Sequence, residues 1–143
     1  MKRLIVRIIK NKKELSHVMA IRKIVFIQEQ KVKNSLERDG LDKGAKHVIA
    51  IYKNTPIGCA RIRFVGKKAK LERIAILKKY RGKGFGKSIT GYLISYCKRK
   101  NVREVVMNAQ YYLKGYYAKL GFKPKSKVFM EAGIKHVKMA LKP

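Results

Sequence analysis

Acidic residues are scarce in this sequence. Eight Asp and Glu stand against 37 Lys and Arg, so the formal net charge is +29. Such a charge attracts polyanions, of which nucleic acid is the most abundant, and it makes nucleic-acid binding one hypothesis. The basic residues extend from Lys2 to Lys142 without forming a block, which is equally typical of a lysine-rich surface adapted to a hot or otherwise unusual cytoplasm. Because carboxylates are so few, each is a candidate for a specific role.

Cysteine, proline and long apolar runs are also scarce. The two cysteines, Cys59 and Cys97, lack metal-ligand spacing, so we expect reduced, buried thiols in a cytoplasmic protein and no metal site. Three prolines and no low-complexity segment predict a single domain over residues 1–143. The basic N-terminus is similar to the start of a signal peptide, but Arg7 interrupts its apolar run. No run approaches the roughly 20 apolar residues of a membrane helix, and we expect no membrane association.

A glycine-rich, basic stretch, RGKGFGKS at residues 81–88, is the most distinctive local pattern; we call it the glycine loop. It fails the Walker A pattern because Arg81 stands where a glycine is needed. It fails the dinucleotide pattern because Lys87 stands at the third glycine. What fits is Arg-x-x-Gly-x-Gly, in which glycines let backbone N–H groups converge on a diphosphate at a helix N-terminus. A basic strand-to-helix turn without a ligand explains the loop equally well.

Hydrophobic periodicity predicts an α/β fold with a mixed, mostly antiparallel sheet of about seven strands flanked by helices. The three strands at 47–52, 57–65 and 70–77 form an antiparallel meander. The remaining strands are predicted at residues 4–10, 103–109, from 121 onward, and 135–141. Helices are predicted at residues 13–30, 86–100 and 111–120, with a short helix near Ser35 in the loop 31–46.

Four stretches carry a resemblance to a known family. The glycine loop, followed about 35 residues later by YYAKLGF at 116–122, resembles the GNAT superfamily of acyl-CoA-dependent N-acetyltransferases. Within it the chain looks like the small ElaA-like branch, through VFIQEQKV at 25–32, ERDGLDKGAKH at 37–47, AQ at 109–110 and FMEAGIKHVKM at 129–139. One departure is Lys33, where the branch often has proline.

The resemblance implies acetyl-CoA as co-substrate, held by the glycine loop and the fourth strand. The residues implied for the diphosphate are Arg81, Gly82, Lys83, Gly84, Phe85, Gly86 and Lys87. The residues implied to pair with the pantetheine arm and to polarise the thioester carbonyl are Ile74, Ala75 and Ile76.

Two residues are candidates for catalysis by this resemblance. Tyr117 matches the tyrosine that protonates the departing thiolate, although a core aromatic is the alternative. Glu72 is the candidate general base: we expect it to share a strand face with Ile74 and Ile76, where desolvation would raise its pKa. The alternative for Glu72 is an ion pair with one of the many cations.

The acceptor pocket has weaker candidates, Glu29, His47 and His136, which stand at matched positions of the branch. The acidic residues of the loop 31–46 can steer a cationic amine or pin that loop; they are Glu37, Asp39 and Asp42.

Two hypotheses follow. The first is an acetyl-CoA-dependent N-acetyltransferase in which a primary amine, of a small molecule or a protein, attacks the thioester directly. The second is a basic nucleic-acid-associated domain on the same fold, with weak or no catalysis. Dimers are common in the family, so a homodimer is also an expectation. The sequence leaves the acceptor amine unnamed.

Overall fold

A mixed sheet of eight strands forms the centre of the molecule in the computed structural model, which describes residues 3–143. The strand order is β1-β2-β3-β4-β5-β8-β6, and β7 pairs with β8. All pairs are antiparallel except β4 with β5. The strands are β1 Leu4–Ile8, β2 Lys46–Tyr52, β3 Thr55–Val65, β4 Lys68–Ile76, β5 Glu104–Gln110, β6 Lys123–Pro124, β7 Phe129–Glu131 and β8 Ile134–Leu141.

Helices cover both faces of this sheet. The main helices are α1 Lys12–Arg22, α2 Asn34–Glu37, α3 Phe85–Arg99 and α4 Lys114–Lys119. The Asn11 side chain caps α1 by accepting from the Glu14 amide at 2.9 Å. Helix α1 continues as a π-helical segment, Lys23–Glu29, and single 3₁₀ turns lie at Lys78–Tyr80 and Tyr111–Leu113. Among residues 3–143, no helix combines the length and apolar character needed to cross a membrane.

The predicted fold class is confirmed, with one strand more than expected. The predicted helix 13–30 is present, although its second half is π-helical, and the short helix near Ser35 is α2. The segment predicted as a strand from 121 is reduced to Lys123–Pro124. The unpredicted strand β7 pairs with β8 over only three residues, too few to produce a clear alternating pattern.

Two apolar cores lie on opposite faces of the sheet. The main core packs α3 and α4 against the sheet, through residues such as Ile62, Leu71, Leu93, Met107 and Phe122. The second, smaller core lies under α1 and the π-helical segment, and consists of Val18, Ile21, Val25, Ile49, Cys59 and Ala75. Each core holds one cysteine, and both thiols are buried as predicted. Burial raises the pKa of Cys59 to about 12 and that of Cys97 to about 11.

Strands β4 and β5 separate halfway along their length. They pair only from Lys68 with Glu104 to Leu71 with Met107. Beyond this point β4 continues to Ile76 and β5 to Gln110. The two diverging ends, residues 72–76 and 108–110, enclose what we call the β4–β5 gap.

A β-bulge in β4 lies where the separation begins. Arg61 of β3 stands opposite Glu72, whereas Cys59 stands opposite Ala75, so β4 contains one extra residue between the two pairs. Arg73 takes the left-handed conformation, with φ +55°. A bulge of this kind bends a strand and shifts its alternation by one position.

Candidate functional site

A cleft of about 870 Å³ opens at the β4–β5 gap. Its walls come from β4, β5, the π-helical segment, the glycine loop, α4 and the β7–β8 hairpin. The cleft therefore collects residues that are far apart in the chain. Of the predicted site residues, it is lined by Glu29, Glu72, Ile74, Ala75, Ile76, Arg81, Gly82, Gly84, Phe85, Gly86, Lys87, Tyr117 and His136.

One end of the cleft is the start of α3. Gly82 and Gly84 have φ values of +75° and +82°, a conformation that glycine adopts without strain. The first backbone hydrogen bond of the helix joins the Ser88 amide to the Gly84 carbonyl at 3.3 Å. The amides of residues 85–87 precede it and have no carbonyl partner within the helix. Together with the positive end of the helix dipole, these amides make the start of α3 a candidate anion site.

Gly86 leaves room for a tyrosine at this helix end. A Cβ atom at Gly86 would lie 2.9 Å from the Tyr116 hydroxyl, closer than van der Waals contact allows. The sequence analysis did not indicate this contact. Because α4 and the start of α3 are distant in the chain, no local pattern indicates it.

The Arg81 guanidinium group is engaged by protein groups and does not face the candidate anion site. Its Nε donates to the Ile76 carbonyl at 2.8 Å, and its two terminal nitrogens donate to the Glu29 carboxylate at 2.6 and 2.9 Å. The hydrogen bonds from Arg81 lower the pKa of Glu29. Arg81 and Glu29, predicted for different subsites, thus form one link between the glycine loop and the π-helical segment.

The edge of β4 presents backbone groups to the gap. The Leu77 amide donates to the Ile57 carbonyl of β3 at 2.9 Å. Because N–H groups alternate in direction along a strand, the Ile76 amide points the other way, into the gap. By the same alternation the Ile74 amide points into the gap and the Ala75 amide towards β3. Of the predicted stretch, Ile74 and Ile76 therefore have amides available to a ligand.

Tyr117 lies between the main core and the cleft, a position compatible with both roles considered for it. Its ring belongs to the main core, packing edge-on against Phe122 with centroids 6.0 Å apart, and it also lines the cleft. The residue is 6% exposed. Burial raises the pKa of the phenol, so the hydroxyl holds its proton and is available as a donor.

Glu72 does not have the environment expected of a general base. The bulge at Arg73 puts Glu72 on the face opposite Ile74, which packs against the main core. Arg61 donates to its carboxylate at 2.8 Å and Arg63 at 2.6 Å. Burial opposes ionisation, but these guanidinium groups outweigh it and lower the pKa. The expected raised pKa and shared face are both wrong, and the ion-pair alternative describes Glu72 correctly.

The acidic residues of the loop 31–46 are likewise bound to arginines. Arg22 contacts Glu37 at 2.7 Å and Asp42 at 2.6 Å, and Arg61 contacts Asp39 at 2.7 Å. The Arg22 and Arg61 side chains are 1% and 0% exposed. We call the whole group the arginine–carboxylate cluster: Arg22, Glu37, Asp39, Asp42, Arg61, Arg63, Glu72 and Arg73.

This cluster holds the loop 31–46 in place, which was one of the two roles predicted for its acidic residues. The hydrogen bonds from Arg61 lower the pKa of Asp39, and those from Arg22 and Arg61 lower that of Asp42 despite burial. These carboxylates are neutralised by the protein itself and are poorly suited to steering a substrate. Sequence reasoning missed the arginines, although Arg22 occupies a core position of the α1 pattern between Val18 and Val25.

The two predicted pocket histidines have different locations. The His47 ring lies 2.9 Å from the Asp42 carbonyl through Nε2, and the residue does not line the cleft. The structure therefore does not bring His47 to the site. His136 on β8 lines the cleft, with Nδ1 2.7 Å from the Ile134 carbonyl and Nε2 3.6 Å from Glu131. In the part of the chain described, no group of three or more His, Cys, Asp and Glu is arranged to hold a metal ion.

Comparison with known proteins gives consistent matches over nearly the whole chain. Residues 11–143 match the family model described as an acetyltransferase (GNAT) domain. A Bacillus subtilis protein, provisionally named an acetyltransferase, is 39% identical over 137 residues, covering 94% of this chain and 93% of that protein.

Solved structures share the fold at low sequence identity. Escherichia coli ElaA superimposes with a TM-score of 0.85 at 21% identity, covering 99% of this chain and 100% of ElaA. A GNAT family acetyltransferase from Elizabethkingia anophelis, solved with acetyl-CoA bound, gives a TM-score of 0.75 at 15% identity, covering 98% of both chains.

Proposed function

Because the chain belongs to the GNAT acetyltransferase family, we propose that it is an acetyl-CoA-dependent N-acetyltransferase in which a primary amine attacks the thioester directly. The observation that supports this most directly is the combination of two features in one cleft. The start of α3 offers three backbone amides without helical partners, and the edge of β4 offers amides that point into the β4–β5 gap.

Acetyl-CoA fits these two features. The amides of residues 85–87 would hold the diphosphate, with Lys87 supplying positive charge beside them. The Arg81 guanidinium, bound to Glu29, would hold the loop in place and leave the diphosphate to the backbone. The pantetheine arm, which carries amides of its own, would pair with the free edge at Ile74 and Ile76. The thioester would then lie in the gap.

The residues of the gap suit acyl transfer. The amine nitrogen forms a bond to the thioester carbon, and the Ile76 amide donates to the oxyanion that develops. The carbon–sulfur bond then breaks, and Tyr117 donates its proton to the departing thiolate. Of the two protons lost by the ammonium nitrogen of the acceptor, one ends on sulfur and the other in solvent.

The acceptor is a primary amine of a small molecule or a protein. Neither Glu72 nor Glu29 suits the removal of its proton, because arginines lower the pKa of both carboxylates.

Tyr117→Phe tests the proposal. Removing the hydroxyl should lower kcat by roughly 10²-fold or more, as for loss of a general acid, measured as release of CoA thiol with phenethylamine, spermidine and lysine as probe acceptors. Tyr111→Phe is the matched control, since Tyr111 is an exposed tyrosine of the same segment that does not line the cleft.

Cofactor binding is tested separately by thermal unfolding. At 100 times its dissociation constant, acetyl-CoA should add roughly 2.7 kcal/mol to the free energy of unfolding, with ATP and pyrophosphate as anion controls. A shift no larger than that of the anion controls, together with no release of CoA thiol by the wild type, would contradict the proposal. Full activity of Tyr117→Phe would contradict only the role of Tyr117 as the acid.

A further inference from the structure

The cleft has two distinct sides, one on each face of the sheet. Met107 and Ala109 of β5 point into the main core, together with Val137 of β8. Because side chains alternate along a strand, Asn108, Gln110 and His136 lie on the opposite face, towards α1. The Gln110 amide donates to Gln30, the C-terminal cap of the π-helical segment, at 2.9 Å. Tyr117, a member of the main core, is on the other side of the gap.

The hydrogen bond of His136 determines its tautomer. Nδ1 lies 2.7 Å from the Ile134 carbonyl oxygen. A carbonyl oxygen only accepts, so Nδ1 carries the proton and donates. In the neutral ring, Nε2 therefore holds a lone pair. His136 lines the cleft although its side chain is 8% exposed, so this nitrogen is the ring's one free basic position.

Glu131 is the charged group in contact with that nitrogen. Its Oε2 lies 3.6 Å from Nε2, and its Oε1 accepts from the Asn108 amide at 3.1 Å. The Phe129 ring stacks on His136 with centroids 6.0 Å apart, and the register partner on β5 is the uncharged Gln110. The other charged groups lining the cleft are Glu29, Glu37, Asp39, Arg63, Lys70, Glu72, Arg73, Arg81 and Lys87.

Glu131 differs from the other carboxylates of the cleft. Each of Glu29, Glu37, Asp39 and Glu72 contacts at least one arginine. Among the ion pairs of the described residues, Glu131 contacts only a histidine. Its charge is thus available to an imidazolium or to an ammonium group in the cleft.

We propose that His136 is the general base of the reaction and that Glu131 is its positioning residue. This inference rests on the proposed function. Nε2 takes a proton from the acceptor ammonium, leaving a neutral amine whose lone pair attacks the thioester carbon. Glu131 stabilises the imidazolium that results, and the proton later passes to solvent. The second proton of the nitrogen replaces the one that Tyr117 gives to the thiolate, so base and acid act from opposite faces of the sheet.

His136→Gln tests the base. With phenethylamine and spermidine as probes, kcat/KM near neutral pH should fall by roughly 10²-fold or more. The deficit should shrink as the pH approaches the pKa of the amine, which then deprotonates without help. Added imidazole should partly restore activity to His136→Ala. A deficit that is independent of pH and unresponsive to imidazole would overturn the assignment.

His47→Gln is the matched control, because His47 is also buried and bonded to a carbonyl but does not line the cleft. It should lower the melting temperature without changing the pH profile. Glu131→Gln should retain more activity than His136→Gln. Its loss of activity should be largest near neutral pH, where the acceptor is an ammonium and His136 becomes an imidazolium by taking its proton.

Two readouts separate this inference from the proposed function. Acetyl-CoA should raise the melting temperature of His136→Gln as much as that of the wild type. If acetyl-CoA shifts the melting temperature of neither protein, the proposed function is contradicted and not the assignment of the base. A long-range ¹H–¹⁵N spectrum of the wild type at alkaline pH should show the proton of His136 on Nδ1. A proton on Nε2 would overturn the assignment of His136 as the base. This result does not depend on whether any of the probe amines is acetylated.

Discussion

Arginine and lysine have different roles among the basic residues. Seven arginines form ion pairs with carboxylates, whereas only two lysines do so among the described residues. The arginines are Arg7, Arg22, Arg38, Arg61, Arg63, Arg73 and Arg81. A guanidinium group presents five donors in a rigid planar fork that can hold several carboxylates in a fixed geometry, whereas an ammonium group has three donors on a flexible stem. Arginine therefore builds the interior network, and lysine supplies most of the surface charge.

Arg61→Met should be strongly destabilising. Arg61 is 0% exposed and contacts Asp39, Asp42 and Glu72, so its removal leaves three carboxylates without a shared partner. Breaking a buried ion pair typically costs about 3–5 kcal/mol, measured here as the change in free energy of unfolding by urea titration. Arg103→Met, an exposed control, should change it by less than about 0.5 kcal/mol. Equal effects of the two substitutions would show that the cluster is not stabilising.

At the level of elements, the divergence of β4 and β5 creates the site. A sheet normally satisfies the N–H and C=O groups on both edges of an interior strand. Here the pairing stops at Leu71, and a bulge at Arg73 follows. The cleft exists because the end of β4 has no paired strand on the edge that faces β5.

Hydrogen exchange should reveal this free edge. The Ile76 amide points into the gap and should exchange rapidly in the free protein, whereas the Leu77 amide, bonded to Ile57, should exchange slowly. Acetyl-CoA at ten times its dissociation constant should slow exchange at Ile76 by roughly tenfold while leaving Leu77 unchanged. Protection of both amides in the free protein would mean that the edge is already paired, and the assigned direction of the Ile76 amide would be wrong.

Periodicity predicts the elements of this fold well, since most are long and regular. The meander β2–β4 and helix α3 were predicted within a few residues. What alternation cannot predict is the bulge, because an extra residue at Arg73 reverses every later side chain of β4 without leaving a pattern. The wrong face assigned to Glu72 follows from this.

The sequence predicts the backbone geometry of the glycine loop, but not the side-chain pairs that form between residues distant in the chain. The glycine loop leads into α3, which begins within it at Phe85, as the glycine spacing indicated. The link between Arg81 and Glu29, 52 positions apart, and the partners of Glu72 depend on tertiary contacts. In a chain with so many cations, the sequence predicts that a carboxylate will be paired but not with which arginine.

For the whole molecule, the few carboxylates should control stability in acid. Arginines lower the pKa of Asp39, Asp42 and Glu72 in the folded state, from ordinary values of 3.8 for Asp and 4.5 for Glu. Below those values the unfolded chain binds more protons than the folded one, so stability falls as pH falls. The excess positive charge adds self-repulsion.

Melting temperatures measured from pH 7 to pH 2 check this expectation. They should stay nearly constant down to about pH 5 and then decrease steadily through the acidic range. Arg61→Met should begin from a lower melting temperature and show a shallower decrease, since it has already lost part of the cluster. A wild-type melting temperature that is constant down to pH 2 would contradict the ion-pair assignment.

The lysines of this chain are themselves primary amines, the class of group that an acyl donor modifies. Chemical acylation of these side chains would remove positive charge one residue at a time and take the exterior from strongly cationic towards neutral. The arginine–carboxylate cluster would not react, because a guanidinium group stays protonated and is a poor nucleophile. We therefore expect the fold to persist when the surface lysines are acylated.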